Sequence, residues 1–117
     1  MIISHGKFPI RPDQLERAKV IMAEMARETL NERGCISYDF YLSISEPNTM
    51  LLFQEWESIE AVQDHFNTEH MDNFLQALPE LLEGEVIAHR YAVQSMSDTH
   101  MSDSFSEEYE EEYVTLH

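Results

Sequence analysis

Two histidines with four residues between them, His65 and His70, stand among the residues best suited to chemistry. Histidine titrates near neutral pH, so each could serve as a general acid or base. On an unbroken helix, side chains at this spacing point about 140° away from each other. A break at Asn67 would bring the two rings together. The structural alternatives are a cation near a helix end for His65 and a packing residue in a first helical turn for His70.

Aromatic residues and one arginine could form a pocket beside these histidines. Trp56 could aim its indole N–H at a substrate oxygen, or it could be a core aromatic that closes the seam between sheet and helices. Tyr38 and Tyr91 could hydrogen-bond a substrate oxygen, or they could simply pack inward. Arg90 could stabilise an anion or form an exposed ion pair. The other candidate substrate-binding residues are Phe40, Phe66 and Phe74.

No metal site is predicted from the spacing of these residues. His65 and His70 match no zinc motif, and no third ligand is adjacent to them. The chain has one cysteine, Cys35, so it can form neither an internal disulfide nor a cysteine-based zinc site. We expect Cys35 to be a buried, inert thiol. We also expect no cofactor.

The hydrophobic pattern predicts the elements that must position these residues. Apolar residues recur at three- and four-residue steps in the helical segments and alternate with polar ones in the strands. Ser58 and Thr68 can cap helices, Pro79 should kink or restart one, and Gly34 should follow a helix end. The predicted elements are strands over residues 1–8, 35–45, 50–57 and 86–93 and helical regions over residues 13–33 and 59–82.

The order of these elements is strand, helix, strand, strand, helix, strand, which is the ferredoxin-like βαββαβ pattern of an α+β fold with an antiparallel sheet. Helices cover one face of such a sheet. The two strands of the predicted hairpin carry large side chains on both faces. In the second strand, one face carries Met50, Leu52, Gln54 and Trp56, and the other carries Leu51, Phe53 and Glu55. Burial of the second face against an identical chain would remove an exposed apolar patch, so we predict a homodimer.

The composition of the chain fits one folded domain. It has 117 residues, of which 43% are hydrophobic. We place the domain over residues 1–95 and an acidic tail over residues 96–117. The tail is expected to be solvated. In the alternative, residues 113–116 dock on a sheet edge, since they have strand propensity.

Charge and hydropathy narrow the classes of partner and compartment. The net charge of −16 argues against nucleic acid and anionic membrane surfaces as partners. The first residues lack the apolar stretch of a signal peptide, and no segment has the length and apolar character of a membrane span. We therefore predict a cytoplasmic protein.

Three segments together resemble the antibiotic biosynthesis monooxygenase family. They are the helix-to-strand junction at residues 32–41, the strand-to-helix passage at residues 55–61 and the helical stretch at residues 65–71. The resemblance covers about residues 1–95. It implies a dimeric α/β barrel. Characterised members of the family include cofactor-independent oxygenases of polycyclic phenols and quinols, haem-degrading enzymes and an isomerase of a sugar phosphate.

The leading hypothesis is a homodimeric, cofactor-independent monooxygenase that oxidises a small aromatic phenol or quinol with O₂. Deprotonation makes the substrate electron-rich enough to reduce O₂, and the protein supplies a base, hydrogen bonds and a dry pocket. Its catalytic residues would be Trp56, His65 and His70.

Two alternatives are a non-catalytic dimeric module that binds a small molecule or a partner, and an isomerase of the same family. A cavity filled solid by Trp56, Phe66 and Phe74 would favour the binding module, whereas an open one that reaches a histidine would favour an enzyme. Residues 1–8 lack the asparagine of haem-degrading relatives, and the few basic residues available offer little for a phosphate.

Overall fold

The computed structural model describes residues 1–94 and Met96. Apart from Met96, the predicted acidic tail therefore lies outside the described residues. The strands are β1 (Ile2–Pro9), β2 (Cys35–Leu42), β3 (Thr49–Trp56) and β4 (Ile87–Ala92), and the helices are α1 (Leu15–Thr29), α2 (Ile59–Phe66) and α3 (Glu69–Leu81). A short 3₁₀ turn, Pro12–Gln14, precedes α1. The predicted ferredoxin-like order is confirmed. Within this part of the chain, no helix is long and apolar enough to cross a membrane.

The four strands form one antiparallel sheet in the order β2-β3-β1-β4. The central strand β1 pairs with β3 on one side and β4 on the other. Ser4 of β1 is opposite Gln54 of β3 and Arg90 of β4. Residues paired directly across strands share a face, so these three side chains form a row beneath the helices.

The hydrophobic core lies between this sheet and the helices. Its largest fully buried side chains include Trp56, Met22 and Leu81. On β3, Met50, Leu52, Gln54 and Trp56 face the helices, as predicted, with Gln54 only partly buried. On β2, Tyr38 is buried, but Ile36 is 47% exposed because a bulge between Cys35 and Ser37 shifts the register.

The predicted interruption between the two C-terminal helices is present. The Ser58 hydroxyl accepts a hydrogen bond from the Ala61 N–H at 3.2 Å and caps α2. The Thr68 hydroxyl accepts one from the Met71 N–H at 3.2 Å and caps α3. Asn67 stands between them at the end of α2. Each hydroxyl satisfies a backbone donor that a helix start leaves free, so two separate helices are stable here.

Two predicted helix boundaries are wrong. Pro79 does not restart the helix, because α3 continues through it to Leu81. Near the helix end, its missing N–H removes only one of the last backbone hydrogen bonds. The first helix ends at Thr29 instead of Arg33. Tight turns follow, in which the Glu32 N–H donates to the Thr29 carbonyl at 2.9 Å. Gly34 then adopts φ +88°, the left-handed conformation expected there.

The second face of the sheet is free of helices in the described residues. It carries Phe53, Tyr41, Ile87 and Tyr91, with exposed fractions between 38% and 55%. His5 of β1 stacks on Tyr91 with ring centroids 5.7 Å apart. The predicted two-sided character of the sheet is therefore present in the folded chain.

Candidate functional site

A cavity of about 280 Å³ lies between the sheet and the helices α2 and α3. Its walls are mostly apolar because the inward side chains of the strands and the apolar faces of both helices meet there. Six of the residues predicted for the site contribute to its walls: Tyr38, Trp56, His65, Phe66, Phe74 and Arg90. The cavity is open, and it reaches a histidine.

Trp56 is fully buried against this cavity. Its indole N–H donates a hydrogen bond to Gln54 Oε1 at 2.7 Å. The expectation that this N–H aims at a substrate oxygen is therefore wrong for this structure. Gln54 also lines the cavity. Since its carbonyl oxygen accepts from Trp56, its amide N–H₂ is the end that can donate to a ligand.

His65 lies in the last turn of α2 and is only 2% exposed. Its Nδ1 lies 2.8 Å from Glu32 Oε2, which leaves Nε2 as the nitrogen that can face the cavity. The ring also packs against Trp56, with centroids 4.9 Å apart. Burial lowers the pKa of His65, and the hydrogen bond and charge of Glu32 oppose this only in part. A neutral imidazole whose Nδ1–H donates to a carboxylate has its basic nitrogen at Nε2, so His65 is a suitable general base.

His70 lies in the first turn of α3, and its Nε2 is 2.5 Å from the same Glu32 oxygen. The break at Asn67 turns the chain so that the ring centroids of His65 and His70 are 6.1 Å apart. The sequence prediction that such a break would bring them together agrees with this geometry. His70 does not line the cavity, however. It lines a separate groove between α1 and α3.

Glu32 is the member of this cluster that sequence reasoning missed. It falls within the predicted helix over residues 13–33 and is not among the predicted site residues, yet its side chain is only 12% exposed. The early end of α1 is the cause, since the turn after Thr29 directs Glu32 toward α2 and α3. The available signal was its place in the segment at residues 32–41, which resembles the family's helix-to-strand junction.

The side-chain atoms of Glu32, His65 and His70 lie within 4.8 Å of one another, and such a set could hold a metal ion. The sequence offers no third ligand next to the two histidines, and the fold brings Glu32 to them from a distant segment. The oxygen–nitrogen distances of 2.5 and 2.8 Å are those of hydrogen bonds. Ligands bonded to one zinc ion at about 2.1 Å stand roughly 3 Å or more apart. In this geometry the three side chains form a hydrogen-bonded network.

The remaining predicted residues are placed in different ways. Tyr38 is buried at the cavity wall; burial, and then the negative charge of Glu32, raise its pKa, so its hydroxyl stays protonated and can donate. Arg90 reaches the cavity mouth, where its guanidinium carbon lies 5.8 Å from the Phe66 ring centroid. Phe40 packs behind the wall, 6.0 Å from Phe74. Tyr91 lies on the opposite face of the sheet, so it is separated from the cavity.

Comparison with known proteins shows the family and agrees with the fold. The family model described as antibiotic biosynthesis monooxygenase matches residues 1–77. The chain belongs to the antibiotic biosynthesis monooxygenase family. An uncharacterised protein of Synechocystis is 32% identical over 81 residues, which are 69% of this chain and 55% of that protein. The chain thus spans about half the length of this relative.

Two bacterial relatives of this chain carry the name "putative monooxygenase". Rv0793 of Mycobacterium tuberculosis is 32% identical over an alignment that covers 66% of this chain and 75% of Rv0793. Its solved structure superposes with a TM-score of 0.76 at 27% identity, and the superposition covers 83% of this chain and 98% of that one. YcnE of Bacillus subtilis is 24% identical over an alignment that covers 70% of this chain and 86% of YcnE. A Deinococcus radiodurans structure, 21% identical, covers 86% of this chain and 99% of its own with a TM-score of 0.79, and it supports the fold alone.

Proposed function

We propose that this family member is a cofactor-independent monooxygenase that oxidises a small aromatic phenol or quinol with O₂. The observation that carries the proposal is the open apolar cavity that ends at the buried, carboxylate-backed ring of His65. A pocket filled by Trp56, Phe66 and Phe74 would have favoured a binding module, and the cavity beside them favours an enzyme.

The size of the cavity narrows the substrate class. An apolar cavity of roughly 150 Å³ is large enough for benzene. The cavity here, about 280 Å³, suits one aromatic ring or two fused rings. Three or four fused rings would have to extend past the mouth beside Arg90. We therefore propose a mono- or bicyclic phenol or quinol.

The proposed reaction begins with transfer of the substrate's hydroxyl proton to His65 Nε2. The resulting phenolate is electron-rich and passes electrons to O₂. One oxygen atom is added to a ring carbon that bears hydrogen, and the other leaves as water, so a phenol becomes a quinone. The substrate supplies all four electrons, and no external reductant is required.

The charged and polar groups of the cavity suit an anionic intermediate. Arg90 at the mouth is a permanent cation, and its guanidinium carbon lies 5.8 Å from the Phe66 ring centroid. The Gln54 amide is a neutral donor along the wall. Such fixed donors stabilise a developing oxyanion in a site that excludes water.

We further propose that the chain acts as a homodimer in the cytoplasm. The exposed apolar residues of the second sheet face support the homodimer, because an identical face can cover them. The single cysteine is consistent with a reducing compartment.

The test is oxygen uptake with a panel of mono-, bi- and tricyclic quinols, after removal of metals with a chelator and of flavin by dialysis. We expect turnover with small rings and a loss of at least about a hundredfold in His65→Gln, since general base catalysis contributes this much or more. Gln63→Asn, an exposed substitution on the same helix that does not line the cavity, is the matched control and should retain activity. A folded dimer that consumes no oxygen with any panel member would overturn the proposal.

A further inference from the structure

The two histidines of the network line two different spaces. His65 lines the cavity of about 280 Å³ beneath the sheet, and His70 lines the groove of about 400 Å³ between α1 and α3. The cavity does not include His70, and the groove does not include His65. Glu32 Oε2 lies at hydrogen-bond distance from a ring nitrogen of each. One carboxylate oxygen therefore connects the inside of the protein with its surface.

Side-chain exposure rises along this connection from the cavity to the groove, as the export of a proton to water requires. The side chain of His65 is 2% exposed, that of Glu32 12% and that of His70 22%. Three acidic residues, Glu24, Glu28 and Glu69, line the groove around His70. Their carboxylates and the water between them can accept a proton and pass it on.

We propose that Glu32, His65 and His70 form a proton relay between the substrate cavity and the groove. The relay deepens the proposed function and rests on it, because a monooxygenase of this kind must hold a proton away from the phenolate while O₂ reacts. The oxygen atom that leaves as water later needs protons. A relay that carries protons out of the cavity and back into it serves both the removal of the substrate proton and the later protonation of the leaving oxygen.

Each transfer in the relay joins two atoms that the structure places together. The substrate proton binds His65 Nε2, His65 Nδ1 gives its proton to Glu32 Oε2, and Glu32 gives it to His70 Nε2. The proton on His70 Nδ1 then leaves to water in the groove. The passage starts with both imidazoles neutral and protonated at Nδ1, so His70 Nε2 is free to accept. One proton enters and one leaves, Glu32 is ionised before and after, and both imidazoles finish protonated at Nε2. The reverse passage returns a proton to the leaving oxygen and restores both tautomers.

The other groups near Glu32 are poor substitutes for these steps. Tyr38 and Cys35 face the carboxylate, and burial, followed by the charge of Glu32, raises the pKa of both. Both therefore stay protonated near neutral pH and accept no proton. The Trp56 N–H is held by Gln54. His70 acts through Glu32 and does not reach the cavity, so it is a positioning residue.

A first experiment tests the connection without any turnover. Ring-nitrogen NMR follows the protonation and tautomer of both histidines against pH in the full chain. We expect His65 and His70 to titrate as a coupled pair in the wild type, and Glu32→Gln to make their curves independent. Independent titration in the wild type would overturn the relay. So would tight, stoichiometric binding of Zn²⁺ or Fe²⁺ that displaces the shared protons, because the cluster would then be a metal site.

A second experiment measures the effect on catalysis. In weak buffer, His70→Asn should lower kcat at least about tenfold and change KM by less than about twofold, because the cavity is untouched. Imidazole added as buffer should enter the groove and restore most of the rate. Gln76→Asn, an exposed substitution on α3 that lines neither the cavity nor the groove, is the control and should change neither constant. An unchanged kcat in His70→Asn, or a loss that imidazole fails to restore, would overturn the relay.

The two experiments separate the relay from the proposed function. If the wild type oxidises no quinol, the proposed function fails, and the NMR titration still decides whether the three side chains exchange protons as a unit. If oxidation occurs and the rings titrate independently, the proposed function stands and the relay fails.

Discussion

Gly34 holds the turn that places Glu32, and its replacement by alanine is the perturbation that tests this packing most directly. Its φ of +88° is a conformation that residues with a Cβ rarely adopt. A Cβ built at this position would lie 2.6 Å from the Cβ of Ala61 in α2. Its carbonyl also accepts a hydrogen bond from the Glu57 N–H at 2.8 Å, just before α2. The substitution therefore strains the backbone and pushes on the helix that carries His65.

The two costs of Gly34→Ala can be estimated separately. The left-handed conformation costs a residue with a Cβ roughly 1–2 kcal/mol. Overpacking against Ala61 costs roughly 1–3 kcal/mol. The expected loss in the free energy of unfolding is therefore about 2–5 kcal/mol, a large share of the roughly 5–15 kcal/mol typical of a domain.

A double-mutant cycle separates these costs by urea denaturation. Ala61→Gly removes the clashing methyl group and on its own costs about 1 kcal/mol as a glycine in a helix. In the double variant the clash disappears and the backbone strain remains, so the two substitutions should couple favourably by about 1–3 kcal/mol. Ring-nitrogen NMR of His65 in the same samples reports whether the contact with Glu32 survives.

Two results would refute this reasoning. A loss below about 1 kcal/mol in Gly34→Ala would mean that the turn relaxes without strain. Additive effects in the double variant would mean that the approach to Ala61 carries no energy.

The other predictions concern the thiol, the buried histidine and the helix caps. Near pH 8, Cys35 should be alkylated about a hundredfold more slowly than an ordinary thiol, because burial, and then the charge of Glu32, raise its pKa to about 11; mass spectrometry measures the rate, and one equal to that of glutathione would contradict this. Burial holds the pKa of His65 below 6.5, so the unfolded chain binds the proton first and the wild type should lose stability as the pH falls from that value. His65→Asn should lose less between about pH 7 and pH 5.5, and equal losses in urea titrations would count against the assignment. Ser58→Ala and Thr68→Ala should each lower the unfolding free energy by about 1 kcal/mol, whereas the exposed Ser45→Ala should leave it nearly unchanged, and three equal values would argue against the caps.

The elements of the fold were predictable because their signals are local. The two-residue period of a strand puts Met50, Leu52, Gln54 and Trp56 on one face, and the structure places that face against the helices. The break at Asn67 follows from the cap at Thr68. The approach of His65 to His70 needed only this break and helical geometry.

The parts of the site that sequence reasoning missed depend on contacts between distant segments. Glu32 belongs to the predicted helix over residues 13–33, but α1 ends at Thr29. Only the tight turns after Thr29 direct Glu32 inward. Alternation groups Tyr91 with His89 and Ile87, but it does not tell which face of β4 meets the helices; the pairing of β4 with β1 decides that. Gln54 was grouped with Trp56 on the correct face, yet the bond between them depends on side-chain orientation.

The last strand contributes to the cavity in a way that sets it apart from the rest of the chain. All six residues of β4 are exposed, and among the described strands only β1 pairs with it. It nevertheless supplies Ala88 and Arg90 to the wall, and it lies beyond residue 77, where the match to the family ends. The wall of the cavity is therefore assembled from two stretches of the chain, one inside the family match, which carries His65, and one beyond it, which carries Arg90.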